Sequence, residues 1–140
     1  MIPFIQSHTT QFNGRIEIFQ EEAKLEGYDK TKGFAELEIS YKNSFAGNCS
    51  LSVQLFCVAA EYLGMDRATQ FINRAKYLMD QVYSESYKFS LCQEILQAEV
   101  KYSLESRRDT LQTLYQIGKS PGIDLSRALE TIIDAELSLI

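Results

Sequence analysis

The 140-residue sequence contains one histidine, His8, and three cysteines, and that scarcity removes whole classes of chemistry. Cys49, Cys57 and Cys92 are widely spaced and form no CxxC pair, so with a single histidine no all-protein zinc site is expected. A Ser-His-Asp arrangement would have to use His8, close to the first residue, where chains tend to fray. The seven glycines are scattered and make neither GxGxxG nor GxxxxGK followed by Ser or Thr. No phosphate-cradling loop is therefore expected. On these grounds no catalytic residue, metal ligand or cofactor is assigned.

Long apolar runs are missing too. The stretch around Val58-Ala59-Ala60 is bounded by Gln54, Glu61 and Asp66, far short of the roughly 20 residues of a membrane span. No basic region precedes Ile2-Pro3-Phe4-Ile5, and polar Gln6, Ser7 and His8 follow at once. The expectation is a cytoplasmic protein without a signal peptide. The net charge is −5, and the densest basic spots are only Arg107-Arg108 and Lys30-Thr31-Lys32. These read as a solvated turn or a helix start. Nucleic acid, which needs a basic face, and membranes are not expected partners.

What remains is an ordinary globular composition, 45% hydrophobic and 24% charged, long enough for one domain with a real core. Residues 1–11 stand apart as a flexible N-terminal segment in an otherwise single helical domain. From Asp66 to Tyr83, Ala68, Phe71, Ile72, Ala75, Leu78, Met79, Val82 and Tyr83 form a continuous helical stripe with Asp66 as its cap. Ser50 to Leu63 is a second helix, capped by Ser50 and closed by Gly64 in a left-handed conformation. Two residues between helices force an antiparallel hairpin.

Tyr87–Leu104 and Asp109–Ile117 read as another hairpin, and Gly118-Lys119-Ser120-Pro121-Gly122 breaks the chain after it. Asp124 then caps a last helix with Leu125, Ala128, Leu129, Ile132, Ala135 and Leu139 in register. Near the start, Phe12, Ile16, Phe19 and Ala23 make a helical stripe ending at Gly27. Residues 34–42 are ambiguous. Ala35 to Lys42 alternates like a strand, while Phe34, Leu37, Tyr41 and Phe45 have helical spacing.

An internal repeat favours the helix. A shift of 37 residues places Phe19 on Phe56, Ala23 on Ala60, Gly27 on Gly64, Asp29 on Asp66, Lys30 on Arg67 and Phe34 on Phe71. Asp29 to Phe45 is then the counterpart of the Asp66 helix. A strand there would instead make the fold α+β. A looser third copy sets Ala98 on Ala60 and Asp109 on Asp66.

The stretch Ala60-Glu61-Tyr62-Leu63-Gly64-Met65-Asp66-Arg67-Ala68, followed by Phe71, Ile72 and Ala75, resembles tetratricopeptide-type helical repeats over roughly residues 12–117. The resemblance implies an all-α fold of antiparallel hairpins stacked as a short array with a C-terminal capping helix. It also implies a surface lined by the first helix of each pair. On that arrangement Gln20, Lys24, Gln54, Cys57, Glu61, Gln93, Gln97 and Lys101 face outward and would contact a peptide or helix.

Several residues have blander roles. Cys57 and Cys92 read as small buried hydrophobes. Glu17 and Glu21 are an i, i+4 pair with Glu22 and Glu26 on the same helix, but without a Glu-x-x-His partner they read as a solvated acidic face. Of eight tyrosines, Tyr62, Tyr83 and Tyr102 fall on apolar stripes and belong to the core, while Tyr77 lies off its stripe.

The function expected from the sequence is a protein-binding adaptor, chaperone or regulatory inhibitor that does not catalyse a reaction. The last helix, ending Leu137-Ser138-Leu139-Ile140, would cap the stack or pair two copies as a homodimer. The alternatives are a structural subunit of a larger assembly, such as a viral or secretion complex, and a small helical enzyme with convergent carboxylates.

Overall fold

Four helix starts are built the same way, by a short polar side chain accepting one of the first free backbone N–H groups. Asp29 accepts from the N–H of Lys32 at 3.1 Å, Asn48 from Leu51 at 3.0 Å, Ser84 from Tyr87 at 3.3 Å and Asp124 from Ser126 at 3.0 Å. In the computed structural model these residues open α2 (Lys30–Ser44), α3 (Cys49–Tyr62), α5 (Glu85–Lys101) and α7 (Leu125–Leu137). The other helices are α1 (Ile2–Glu22), α4 (Met65–Asp80) and α6 (Arg107–Gly118). The structure describes the backbone of residues 2–140 and the side chains of residues 10–124, 126 and 128–140. His8 therefore has its side chain outside the described residues. The described residues contain helices and no strand.

The ambiguous segment 34–42 is helical, inside α2, and Phe34, Leu37 and Tyr41 are buried from it. Two cap assignments are corrected. Asp66 does not cap α4: that helix starts at Met65 after Gly64, which makes no side-chain cap, and Asp66 lies in the first turn. Ser50 does not cap α3 either. Asn48 does, and Ser50 reaches Glu94 on α5 instead, at 2.8 Å.

Consecutive helices pack as α1 with α2, α3 with α4 and α5 with α6. The two later pairs are joined by similar polar contacts. The Cys49 thiol donates to the Ala75 carbonyl at 3.3 Å, and the Cys92 thiol to the Thr110 carbonyl at 3.6 Å. Between pairs, α5 packs on both α3 and α4, and α7 packs on both α5 and α6. The pair α1–α2 joins the rest through aromatic edges: Phe19 meets Tyr62, and Phe34 and Tyr41 both meet Phe71. Among the described residues, buried Phe12, Phe34, Phe56, Ile72, Leu96, Leu114 and Ile132 belong to one apolar core that runs from α1 to α7.

Two stripe assignments also change. Tyr83 is fully exposed, because α4 ends at Asp80 and Tyr83 falls in the connection to Ser84. Leu129 is half exposed on α7, although Ala128, Ile132 and Ala135 beside it are buried. Tyr77, by contrast, is exposed as its off-stripe position predicts.

Candidate functional site

The first helices α3 and α5 run side by side in the same direction. Ser50 meets Glu94 near one end, and further along the Tyr102 hydroxyl donates to the Cys57 carbonyl at 3.3 Å. Sequence separations of 44 and 45 in these two contacts fix a parallel register. That register runs the row Gln54, Cys57 and Glu61 of α3 alongside the row Gln97 and Lys101 of α5, with Cys57 level with Lys101 and Tyr102.

This is the part of the expected binding surface that the fold assembles. Gln54, Glu61, Gln97 and Lys101 are exposed in two neighbouring rows, with Cys57 half-buried between them. The Lys101 ammonium lies 5.4 Å from the centre of the Tyr102 ring. Such a face mixes amide donors and acceptors with one charge of each sign over an aromatic edge, which suits a peptide backbone or the polar side of a helix.

The remaining expected residues fit less well. Gln93 is half-buried, and Phe89, Ser90 and Gln93 line an open cleft of about 190 Å³ together with Gly122, Ile123 and Asp124. Gln20 is half-buried on α1. Lys24 lies past the end of α1 and pairs with Glu21 at 3.2 Å, both well exposed, a contact of small energy.

Burial raises the Cys57 thiol above its ordinary range; Lys101 opposes that shift and Glu61 adds to it. The Tyr102 phenol is also raised, first by burial and then by Cys57. Both groups are protonated at neutral pH, so Cys57 is no activated nucleophile here. Cys49 and Cys92 are pushed higher, to about 11 and about 12, chiefly by burial.

Two buried carboxylates escaped the sequence reading. Glu38 on α2 is held by Arg67, with Lys42 at 3.4 Å and the Gln70 amide at 3.4 Å, and so ties α2 to α4. Glu99 on α5 is completely buried against Lys76 of α4 at 2.7 Å and the Ser106 hydroxyl ahead of α6. Its second oxygen has no protein partner. Arg107 is likewise no plain solvated turn: it donates to the Leu104 carbonyl and to the Ser138 carbonyl, pinning the end of α7.

A cavity of about 270 Å³ between α1 and α2 is lined by Arg15, Ile18, Glu22, Tyr28 and Glu36 among others. Burial and the Glu22 carboxylate raise the Tyr28 phenol, which leaves it protonated at neutral pH. Among the described residues no group of three or more His, Cys, Asp and Glu could hold a metal ion. No helix among them is long and apolar enough to cross a membrane.

Comparison with protein-family models, curated proteins and solved structures finds no match to this chain.

Proposed function

We propose that the protein is an interaction module that binds a peptide or helix along the α3–α5 face and performs no chemistry. The observation that carries this reading is the parallel register of α3 and α5, which sets exposed Gln54 and Glu61 against exposed Gln97 and Lys101. Three consecutive helix pairs, with the first helices α3 and α5 parallel, agree with a tetratricopeptide-like stack, in which such a face receives the partner. The three free cysteines agree with a reducing, cytoplasmic setting.

Affinity capture from the source cells with mass spectrometry tests the proposal when paired with a Gln54→Ala/Gln97→Ala variant. A discrete stoichiometric partner should be held by the wild type and lost from the variant. Retention of the same partner by both proteins would overturn the site assignment, and repeated capture of no protein would overturn the module itself.

A second reading, a subunit of a larger assembly, is favoured by the exposed apolar residues of α7. Cooperative self-assembly at high concentration, read by light scattering, would support it over the adaptor.

A further inference from the structure

α7 occupies the place of a first helix without the cover that the other first helices have. α3 is packed by its successors α4 and α5, and α5 by its successors α6 and α7. α7 rests on α5 and α6 through Ala128, Ile132 and Ala135, and no later helix among the described residues lies on it. The face left open is not polar. Leu129, Ile133 and Leu137 follow one another at i, i+4 and i+8 and are 49%, 50% and 60% exposed. This is a straight apolar row at the spacing that receives a second helix. Exposed apolar residues scattered singly need no explanation, but a contiguous row does.

The row's surroundings select the occupant. Glu130 and Asp134, both exposed, run along one side of it, and exposed Glu136 stands on the other, held by the Tyr115 hydroxyl. α7 carries these three carboxylates against a single arginine, Arg127, and the chain as a whole carries −5. Two α7 helices paired through this row would line up six carboxylates, three from each copy, around one apolar seam. Like charges facing each other across an interface are costly, whereas opposite ones steer the partner in and fix its register.

We propose that the open face of α7 docks an amphipathic helix of another protein, with an apolar stripe flanked by lysine or arginine. Self-pairing through α7 is the competing occupant. The face is separate from the α3–α5 surface, so the two proposals fail independently.

The test is fluorescence anisotropy of the full chain with a labelled 18-residue peptide of leucines at helical spacing and lysines elsewhere. A matched peptide with glutamate for lysine serves as control. Binding of the Leu/Lys peptide should weaken at least tenfold in Leu129→Gln/Ile133→Gln, and at least tenfold in Glu130→Lys/Asp134→Lys. It should be unchanged in Gln54→Ala/Gln97→Ala. All four replaced α7 residues are exposed, so each variant should keep the helical circular-dichroism spectrum of the wild type. Equal binding of the Leu/Glu peptide, or binding indifferent to the Gln variant, would overturn the proposal. So would sedimentation of the wild type as a dimer that becomes monomeric in the Gln variant and excludes the peptide.

Discussion

Phe56 of α3 meets Tyr102 at the end of α5 edge to face, with ring centres 5.5 Å apart and planes at 88°. One pair earlier, Phe19 of α1 meets Tyr62 at the end of α3 in the same way, at 5.7 Å and 85°. The two phenylalanines are the residues that the 37-residue shift superposes. The two contacts are alike in geometry, a phenylalanine of one helix against a tyrosine at the end of a later one, although the same shift sets Tyr62 on Glu99 and not on Tyr102. Edge-to-face pairs add about 1 kcal/mol beyond area burial. Tyr102→Ala should cost about 3 kcal/mol of unfolding free energy and Tyr102→Phe about 1, the latter through loss of the bond to the Cys57 carbonyl. Urea denaturation measures both. A Tyr102→Ala cost no larger than that of Tyr102→Phe would remove the ring contact from the account.

The phenylalanines were visible in the sequence because apolar spacing and a turn motif mark them; their partners were not. Tyr62 and Tyr102 could be assigned to the core but not to a neighbour, since helical periodicity says which face is buried and not against what. The same gap hid the carboxylates. Glu38 and Glu99 are polar letters in a stripe, and only Arg67 and Lys76, brought near by folding, explain their burial. Leu129 shows the reverse error. Its spacing matched the core, but within the described structure no element covers it. The helices that carry the proposed binding face, α3 and α5, were legible from their apolar stripes. Their axial register was not legible, because it depends on contacts between helices such as Ser50–Glu94 and Tyr102–Cys57.

The ends of α3 and α5 offer a test of turn chemistry. Gly64 has φ +103° after α3, while after α5 Ser103 takes φ +57° and is the one non-glycine at positive φ among the described residues. A side chain there costs about 1 kcal/mol, and glycine removes that cost. Ser103→Gly should therefore raise the thermal midpoint, and Gly64→Ala should lower it. A fall in the midpoint of Ser103→Gly would mean that the serine side chain contributes more than its backbone strain costs.

Lys76 and Glu99 make a more demanding prediction. The Glu99 carboxylate is fully buried with one oxygen unpartnered, so its charge rests on Lys76 and the Ser106 hydroxyl. Removing only the cation strands that charge. Lys76→Met should destabilise by about 3 kcal/mol, while the double variant Lys76→Met/Glu99→Met should recover most of the loss, since an apolar pair of similar volume needs no desolvation. Chemical denaturation of the wild type, the single and the double variant measures the difference. If the double variant is as weak as the single, the lysine contributes by packing and not by charge.

The cysteines give the fold an alkaline limit. Burial holds the Cys92 thiol at about 12 and Cys49 at about 11, against an ordinary 9.0. The folded state therefore keeps protons that the unfolded chain releases above pH 9.0. The stabilisation is complete below that value and is lost as pH rises toward about 12, so stability falls across this window. Cys92→Ala should start from a lower stability, because it leaves a cavity, but should decline with a shallower slope than the wild type. Native-state labelling supplies a second reading. A small alkylating reagent at pH 8 should modify half-buried Cys57 first and reach Cys49 and Cys92 only when the helix pairs open. Equal alkaline slopes for wild type and Cys92→Ala would show that this thiol does not set the limit. Rapid native labelling of Cys92 would show that the α5–α6 contact opens far more readily than its burial implies.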